Sequence, residues 1–293
     1  MGNTSNITWP DKVDLFGVAV SPTRYDEAVN AIVAAAEQRA PAIVSCHAVH
    51  AVITASGDPG LRAKVNTFEM ITPDGQPVRW ALNLLHQAKL TDRVYGPELM
   101  LRLCRRAARE GVSIYLYGGS EKVVADLQKK LVHEFPSLCI AGAESPPFRE
   151  LTDEEDMAAV DRINRSGAGL IFIGLGCPKQ DVFAFEHRAR IHAVQICVGA
   201  AFDFHAGAKP MAPDWMQRFA LEWLFRLQQE PRRLWRRYLA TNTVFVVKLT
   251  LALCRRMLGG HRKPRPLEAG PAGKLNPVEA ESDLARDREH VVH

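Results

Sequence analysis

Paired metal ligands and long apolar runs are both scarce in this chain of 293 residues. There is no CxxC. The six cysteines (Cys46, Cys104, Cys139, Cys177, Cys197 and Cys254) are scattered, most of them in apolar stretches. That pattern excludes a disulfide frame or a zinc site and fits reduced core residues of a cytosolic protein. No DxD-type acidic pair is present to hold a metal–diphosphate; Glu154-Glu155 and Asp153-Asp156 stand at an ordinary helix start. His47 and His50, and His187 and His192, have no carboxylate to complete a ligand set, so no metal site and no cofactor is expected. A GxGxxG fingerprint with a ribose-binding acid about twenty residues on is also missing, which argues against a dehydrogenase.

Targeting signals are equally thin. The start, MGNTSNITWP, has no charged segment followed by an apolar one, so no signal peptide is expected. Asn3 and Asn6 lie in sequons, but a cytosolic chain would not be glycosylated there. The run Thr243 to Leu258 is broken by Lys248 and closed by Arg255-Arg256, too short and too interrupted to span a bilayer. An interfacial helix is the expectation, with packing on the same chain or on a partner as the competing one.

What the chain does have is alternation. Hydrophobic content of 47% and charge of 24% allow an ordinary core. Apolar runs of about five residues recur between helical patterns, as strands buried on both faces of a parallel sheet should. They lie at Val13–Val20, Ala42–Ser45, Phe68–Thr72, Ser113–Tyr117, Leu138–Gly142, Gly169–Gly174 and Gln195–Val198. The expected class is α/β, a Rossmann-like sheet flanked by helices, with function at the carboxyl ends of the strands. Ser45, Asp74, Gly118, Gly176 and Asp203 all fall just past such ends. Four regions are expected: an extension over 1–12, the catalytic domain over 13–212, a helical, basic, membrane-proximal appendage over 213–258, and a disordered tail over 259–293.

Charge is uneven within the net +4, with the excess concentrated between Arg218 and Arg265. That indicates a local basic surface for a membrane or a phosphorylated ligand rather than for nucleic acid. The run Val198 to Tyr238 joins aromatics to Arg232, Arg233, Arg236 and Arg237. Guanidinium forks match phosphate oxygens, and Arg226, Arg233 and Arg236 share a face if one helix continues past Pro231. Gly118-Gly119-Ser120, between a strand and a helix, has the layout of a phosphate cradle, or of a plain tight turn. Asp74 is a candidate general base, or a turn residue of the Asp-Gly kind.

Taken together, Thr72-Pro73-Asp74-Gly75, Arg93-Val94-Tyr95-Gly96-Pro97, Tyr115-Leu116-Tyr117-Gly118-Gly119, Gly174-Leu175-Gly176-Cys177-Pro178-Lys179-Gln180-Asp181 and the run Val198–Tyr238 resemble the WecG/TagA/CpsF bacterial glycosyltransferases, glycosyltransferase family twenty-six. The resemblance covers most of residues 13 to 240. It implies an inverting, metal-independent enzyme that moves a sugar from a UDP-sugar to a polyprenyl-diphosphate-linked saccharide. The setting would be the inner face of the cell membrane, in exopolysaccharide or cell-surface polysaccharide synthesis. It implies Asp74 as base, Arg93 and Gln180 at the donor, Asp203 reading the nucleotide, and Arg226, Arg233 and Arg236 closing over the diphosphate. Gly118 and Gly119 would line the substrate crevice, and a homo-oligomer is admitted. Where the family has Thr-x-Asn, this chain has Ser45-Cys46-His47, so Ser45 and His47 join the catalytic candidates. The family's aromatic near Ala143–Ser145 is replaced at closest by Phe148. The transferred sugar could be a uronic acid, an N-acetylmannosamine type or a hexose, and the alternative function is an inactive UDP-sugar-binding scaffold of a polysaccharide assembly.

Overall fold

A computed structural model describes residues 7–258. The sequons at Asn3 and Asn6, half of the 1–12 extension and the 259–293 tail lie outside the described residues. The chain opens with β1 (Val13–Leu15) and β2 (Val18–Val20), then α1 (Tyr25–Glu37), β3 (Ala42–His47), α2 (Val49–Gly57), α3 (Pro59–Asn66), β4 (Met70–Pro73), α4 (Gln76–His86) and α5 (Gly96–Glu110). It continues through β5 (Ile114–Gly118), α6 (Glu121–Glu134), β6 (Ile140–Glu144), α7 (Asp153–Arg165), β7 (Leu170–Gly174), α8 (Lys179–Glu186) and β8 (Val194–Cys197). Four helices close it: α9 (Ala201–His205), α10 (Asp214–Arg218), α11 (Glu222–Gln229) and α12 (Pro231–Leu258).

Six strands form one parallel sheet in the order β4-β3-β8-β7-β5-β6. Period-two alternation sends Val44, Leu116, Phe172 and Ile196 to one face and Ile43, Tyr115, Ile171 and Cys197 to the other. The first face is covered by α1, α5, α6 and α9, the second by α2, α3, α4, α7, α8 and part of α12. Helices on both faces explain why the strands read as continuous apolar runs. The α7 start is the capping box expected there: Thr152 accepts from Glu155 N, and Glu155 accepts from Thr152 N.

Three expectations change. The first apolar run is not one strand of the main sheet but an antiparallel hairpin, β1 against β2. Phe16 and Gly17 both take positive φ (59° and 93°), the pattern that folds a two-residue hairpin, and Asp14 Oδ1 accepts from Gly17 N. The basic helix does not continue past Pro231: α11 ends at Gln229 and α12 begins afresh, so Arg226 lies on a different helix from Arg233 and Arg236. Finally, α12 is docked along one side on α2 and α4. Phe245, 3% exposed, meets the Phe16 ring edge-on at 5.4 Å, and Arg256 donates to the Leu84 carbonyl at 2.6 Å. No helix among the described residues is long and apolar enough to cross a membrane.

Because Phe245 fills the second core, Phe245→Ala should cost about 3 kcal/mol of stability. Urea unfolding of the two proteins measures it; an unchanged midpoint would mean that α12 is not docked in solution.

Candidate active site

The carboxyl ends of β3, β4, β5, β7 and β8 meet at one edge of the sheet, and the candidates gather there. Asp74 follows the last residue of β4, and its N–H donates to the His47 carbonyl at the end of β3 (3.2 Å). Its side chain caps no helix of its own; Oδ2 accepts the Gly96 N–H, at the start of α5, at 3.1 Å. A carboxylate at a helix N-terminus is favoured by the aligned peptide dipoles. Gly96 sits in tight quarters: a Cβ there would stand 3.2 Å from both Asp74 Oδ2 and the Val198 carbonyl, so a larger residue would press on the Asp74 carboxylate. Val94 N donates to the Pro73 carbonyl at 3.0 Å, which pins the Arg93 loop beside Asp74.

Arg93 is 4% exposed. Its guanidinium lies 4.1 Å from the Tyr95 ring centre, donates to Gln217 Oε1 at 2.9 Å and forms an ion pair with Glu222. Glu222 and Arg226 are one turn apart on α11. The Arg226 guanidinium stacks 4.8 Å from the Phe204 ring centre. Burial raises the pKa of Asp74; the charges of Arg93 and Arg226 and the Gly96 N–H oppose that, and the Glu222 charge adds to it. The balance lies above the usual carboxylate value, the direction that suits a general base.

On the other side of β3, Ser45 and His47 point with Ile43 toward α8. Ser45 Oγ donates to Asp181 Oδ1 at 2.6 Å, and His47 Nε2 lies 3.4 Å from the same oxygen. All three side chains are almost fully buried. Burial pushes the Asp181 pKa up, but His47 and the Ser45 and Cys177 donors outweigh it, and the carboxyl sits below its usual range. The trio therefore forms an ionic support behind the edge rather than part of its open surface. Arg237 extends toward it from α12: burial first, then the Arg237 charge, pushes His50 down to about 4.

The remaining candidates hold the crevice walls. Gln180 Oε1 accepts from Gly199 N at 3.0 Å, fixing the turn that leads into α9 and Asp203. Asp203 pairs with Lys209 at 3.0 Å; Lys209 also reaches Glu230 at 3.2 Å, and Glu230 pairs with Arg233. Gly118 (φ 131°) packs against Gly174, where a Cβ would come within 2.6 Å of backbone. Gly119 (φ 71°) precedes Ser120, which caps α6. Arg236 is exposed and stacks 5.2 Å from the Trp235 ring centre. Phe148, just past β6, is 85% exposed. Among the described residues, no three His, Cys, Asp or Glu side chains could hold a metal ion.

The structure thus joins Asp74, Arg93 and Arg226 in one charged group and Ser45 with His47 in another. It leaves Arg233 and Arg236 on the outer side of α12. Sequence reasoning did not single out Glu222, Gln217 or Asp181 as site residues, and it named Arg237 only as one of the four clustered arginines. Arg237 was within reach, because it flanks the inward stripe Leu234, Tyr238 and Phe245. Asp181 lay inside a quoted motif with nothing to mark it as buried.

A doubly covered parallel sheet with its polar groups gathered at the carboxyl edge defines a Rossmann-like α/β protein. The Glycosyl transferase WecG/TagA/CpsF family model matches residues 13–259, and the chain belongs to that family. It is a glycosyltransferase of cell-surface polysaccharide synthesis.

Titration of Asp74 tests the charge arrangement. Glu222→Gln removes a like charge and leaves Arg93 without its ion-pair partner, so the Asp74 pKa should fall; Arg93→Met should raise it. Carboxyl-carbon NMR on aspartate-labelled protein reads both, and a Glu222→Gln protein titrating like the wild type would contradict the arrangement.

Proposed function

We propose that the chain transfers a sugar from a UDP-sugar to a saccharide carried on a polyprenyl diphosphate, with inversion and without a metal. The observation that carries this reading is Asp74: a carboxyl at a strand's carboxyl end with raised proton affinity, beside Arg93 and Arg226. Asp74 takes the proton of the acceptor hydroxyl as its oxygen attacks the anomeric carbon. The bond from that carbon to the UDP oxygen breaks on the opposite side. The charge that collects on the departing diphosphate is met by guanidinium groups, of which Arg93 is buried, where such interactions are strong. Arg93 and Arg226 supply them once the donor replaces Glu222 as the partner of Arg93. Asp203 reads the nucleotide, Phe148 offers a face to the base, and Gln180, Gly118 and Gly119 shape the crevice. Ser45 and His47 position it through Asp181.

The appendage brings the site to the membrane's inner face as a peripheral contact. Its support is the outer side of α12, where Leu239, Val246, Leu251, Met257 and Leu258 are exposed below exposed Arg232, Arg233 and Arg236. The alternative, an inactive UDP-sugar-binding scaffold, has no use for a base with raised pKa.

Asp74→Asn should lower turnover by roughly 10²–10⁴-fold, the usual worth of a general base, while UDP binding is kept. Release of UDP from a donor panel, with a lipid-diphosphate saccharide and EDTA present, is the assay. Full activity of Asp74→Asn would remove the base from the scheme; loss of activity in EDTA would remove the metal-free mechanism. Binding to vesicles of anionic phospholipid should weaken when Leu239 and Val246 become Ser, as sedimentation would show; unchanged binding would move the membrane contact elsewhere.

A further inference from the structure

A groove of ≈ 630 Å³ runs between α1 and the segment that precedes β1. None of its lining residues belongs to the group around Asp74, Arg93 and Arg226. Its walls are apolar, with Trp9 and Pro10 on the side of the leading segment and Pro22 and Ala31 on the side of α1. Trp9 packs in part against the first core and lines the groove with the rest. The rim carries two exposed acids, Asp11 and Glu27. Glu27 spends Oε2 on the Thr23 hydroxyl and the Arg24 N–H, while the Asp11 side chain bonds to nothing among the described residues. Lys12, the cation next to Asp11 in the chain, is turned onto the Asn66 and Phe68 carbonyls. The rim therefore keeps its negative charge. An aromatic ring with acids beside it suits a basic, proline-rich peptide, whose extended backbone lies on the ring while its cations meet the acids.

The chain contains such a peptide. Arg262-Lys263-Pro264-Arg265-Pro266-Leu267 carries three cations and two prolines. Each proline fixes its own φ and favours an extended backbone at the residue before it. The end of α12 brings this peptide close to the groove. Arg256 donates to the Leu85 carbonyl in α4 at 2.5 Å, and the neighbouring His86 Nε2 lies 2.7 Å from the Asp14 carbonyl. Val13, beside Asp14, lines the groove. From Leu258 the chain can span about 13 Å by Arg262 and about 23 Å by Arg265, at roughly 3.3 Å per residue. A tether so short sets an effective concentration on the order of millimolar, so even a weak site is filled.

We infer that the segment 262–267 docks in this groove of its own chain, with its prolines on Trp9 and its cations on Asp11 and Glu27. The strap so formed runs from the end of α12 past β1 to α1, and it fastens the helix beyond the Phe245 and Arg256 contacts. It is independent of the sugar chemistry and stands or falls apart from the transferase reading.

The test uses the full chain labelled with fluorotryptophan and followed by fluorine NMR; Trp9→Phe assigns the Trp9 line among those of the five tryptophans. Arg262→Glu/Arg265→Glu and Pro264→Ser/Pro266→Ser should each shift the Trp9 line and leave the other four in place. Asp11→Asn, at an exposed position, should move it part of the way, lowering the docked-to-free ratio about twofold to fivefold, the worth of an exposed ion pair. Carbodiimide should couple Lys263 to Asp11 or Glu27 within one chain, as mass spectrometry of the monomer band would show. A Trp9 line unmoved by both tail variants would overturn the docking. Coupling found only between two chains would also overturn it, by making a second copy the occupant. So would a Trp9 line that answers to substitutions in residues 1–6 and not to those in the tail, which would put the amino terminus in the groove. Charge reversal in the tail that weakened only binding to anionic phospholipid vesicles would assign the peptide to the membrane, and the strap would be refuted.

Discussion

Arg93 lies between two carboxylates, and the site depends on how it divides its charge. It makes an ion pair with Glu222 while its field also holds down the proton affinity of Asp74. A guanidinium this buried would be costly without a partner, so Glu222 keeps the apo site intact. The same glutamate adds negative charge near Asp74, which burial has already biased toward the protonated form. The proton affinity of Asp74 and the retention of the arginine are therefore both tied to one contact, made between the Arg93 loop and α11.

The second constraint is the ionic support behind β3. Asp181 is ionised inside the protein because Ser45 and His47 converge on a single oxygen. Both come from alternate positions of one strand, so period two aims them together at α8. On the opposite side of the strand, Cys46 packs toward Gly96, where Asp74 is anchored. One six-residue strand thus packs toward the Asp74 anchor on one face and holds the Asp181 group on the other.

The sheet could be read from the sequence because buried parallel strands leave an unambiguous mark: short apolar runs, spaced by helices. The hairpin could not, because Val13–Val20 is apolar apart from Asp14 and Gly17, and only the backbone at Phe16-Gly17 shows that it doubles back. Asp74 and Arg93 were legible since each follows a strand end or a motif. Glu222 was not. An acid in the first turn of a helix is what the helix dipole favours anyway, and nothing in its neighbours reveals an arginine 129 residues away in the chain. Asp181 was hidden in the same way, in the first turn of α8. The Pro231 break was visible as a proline, yet its consequence, two arginine sets on two helices, needed the structure.

Helix α11 has no buried residue. It is fastened near its ends by ion pairs, Glu222 to Arg93 and, just past Gln229, Glu230 to Lys209. Lifting it would break those ion pairs and also uncover the partly covered Leu224, Phe225 and Leu227 and the Trp223 edge packed on Tyr238. The Arg93–Glu222 pair is in contact and mostly covered, so salt weakens it little. This side of the crevice is thus closed by ionic and apolar contacts together, all of them outside the two cores.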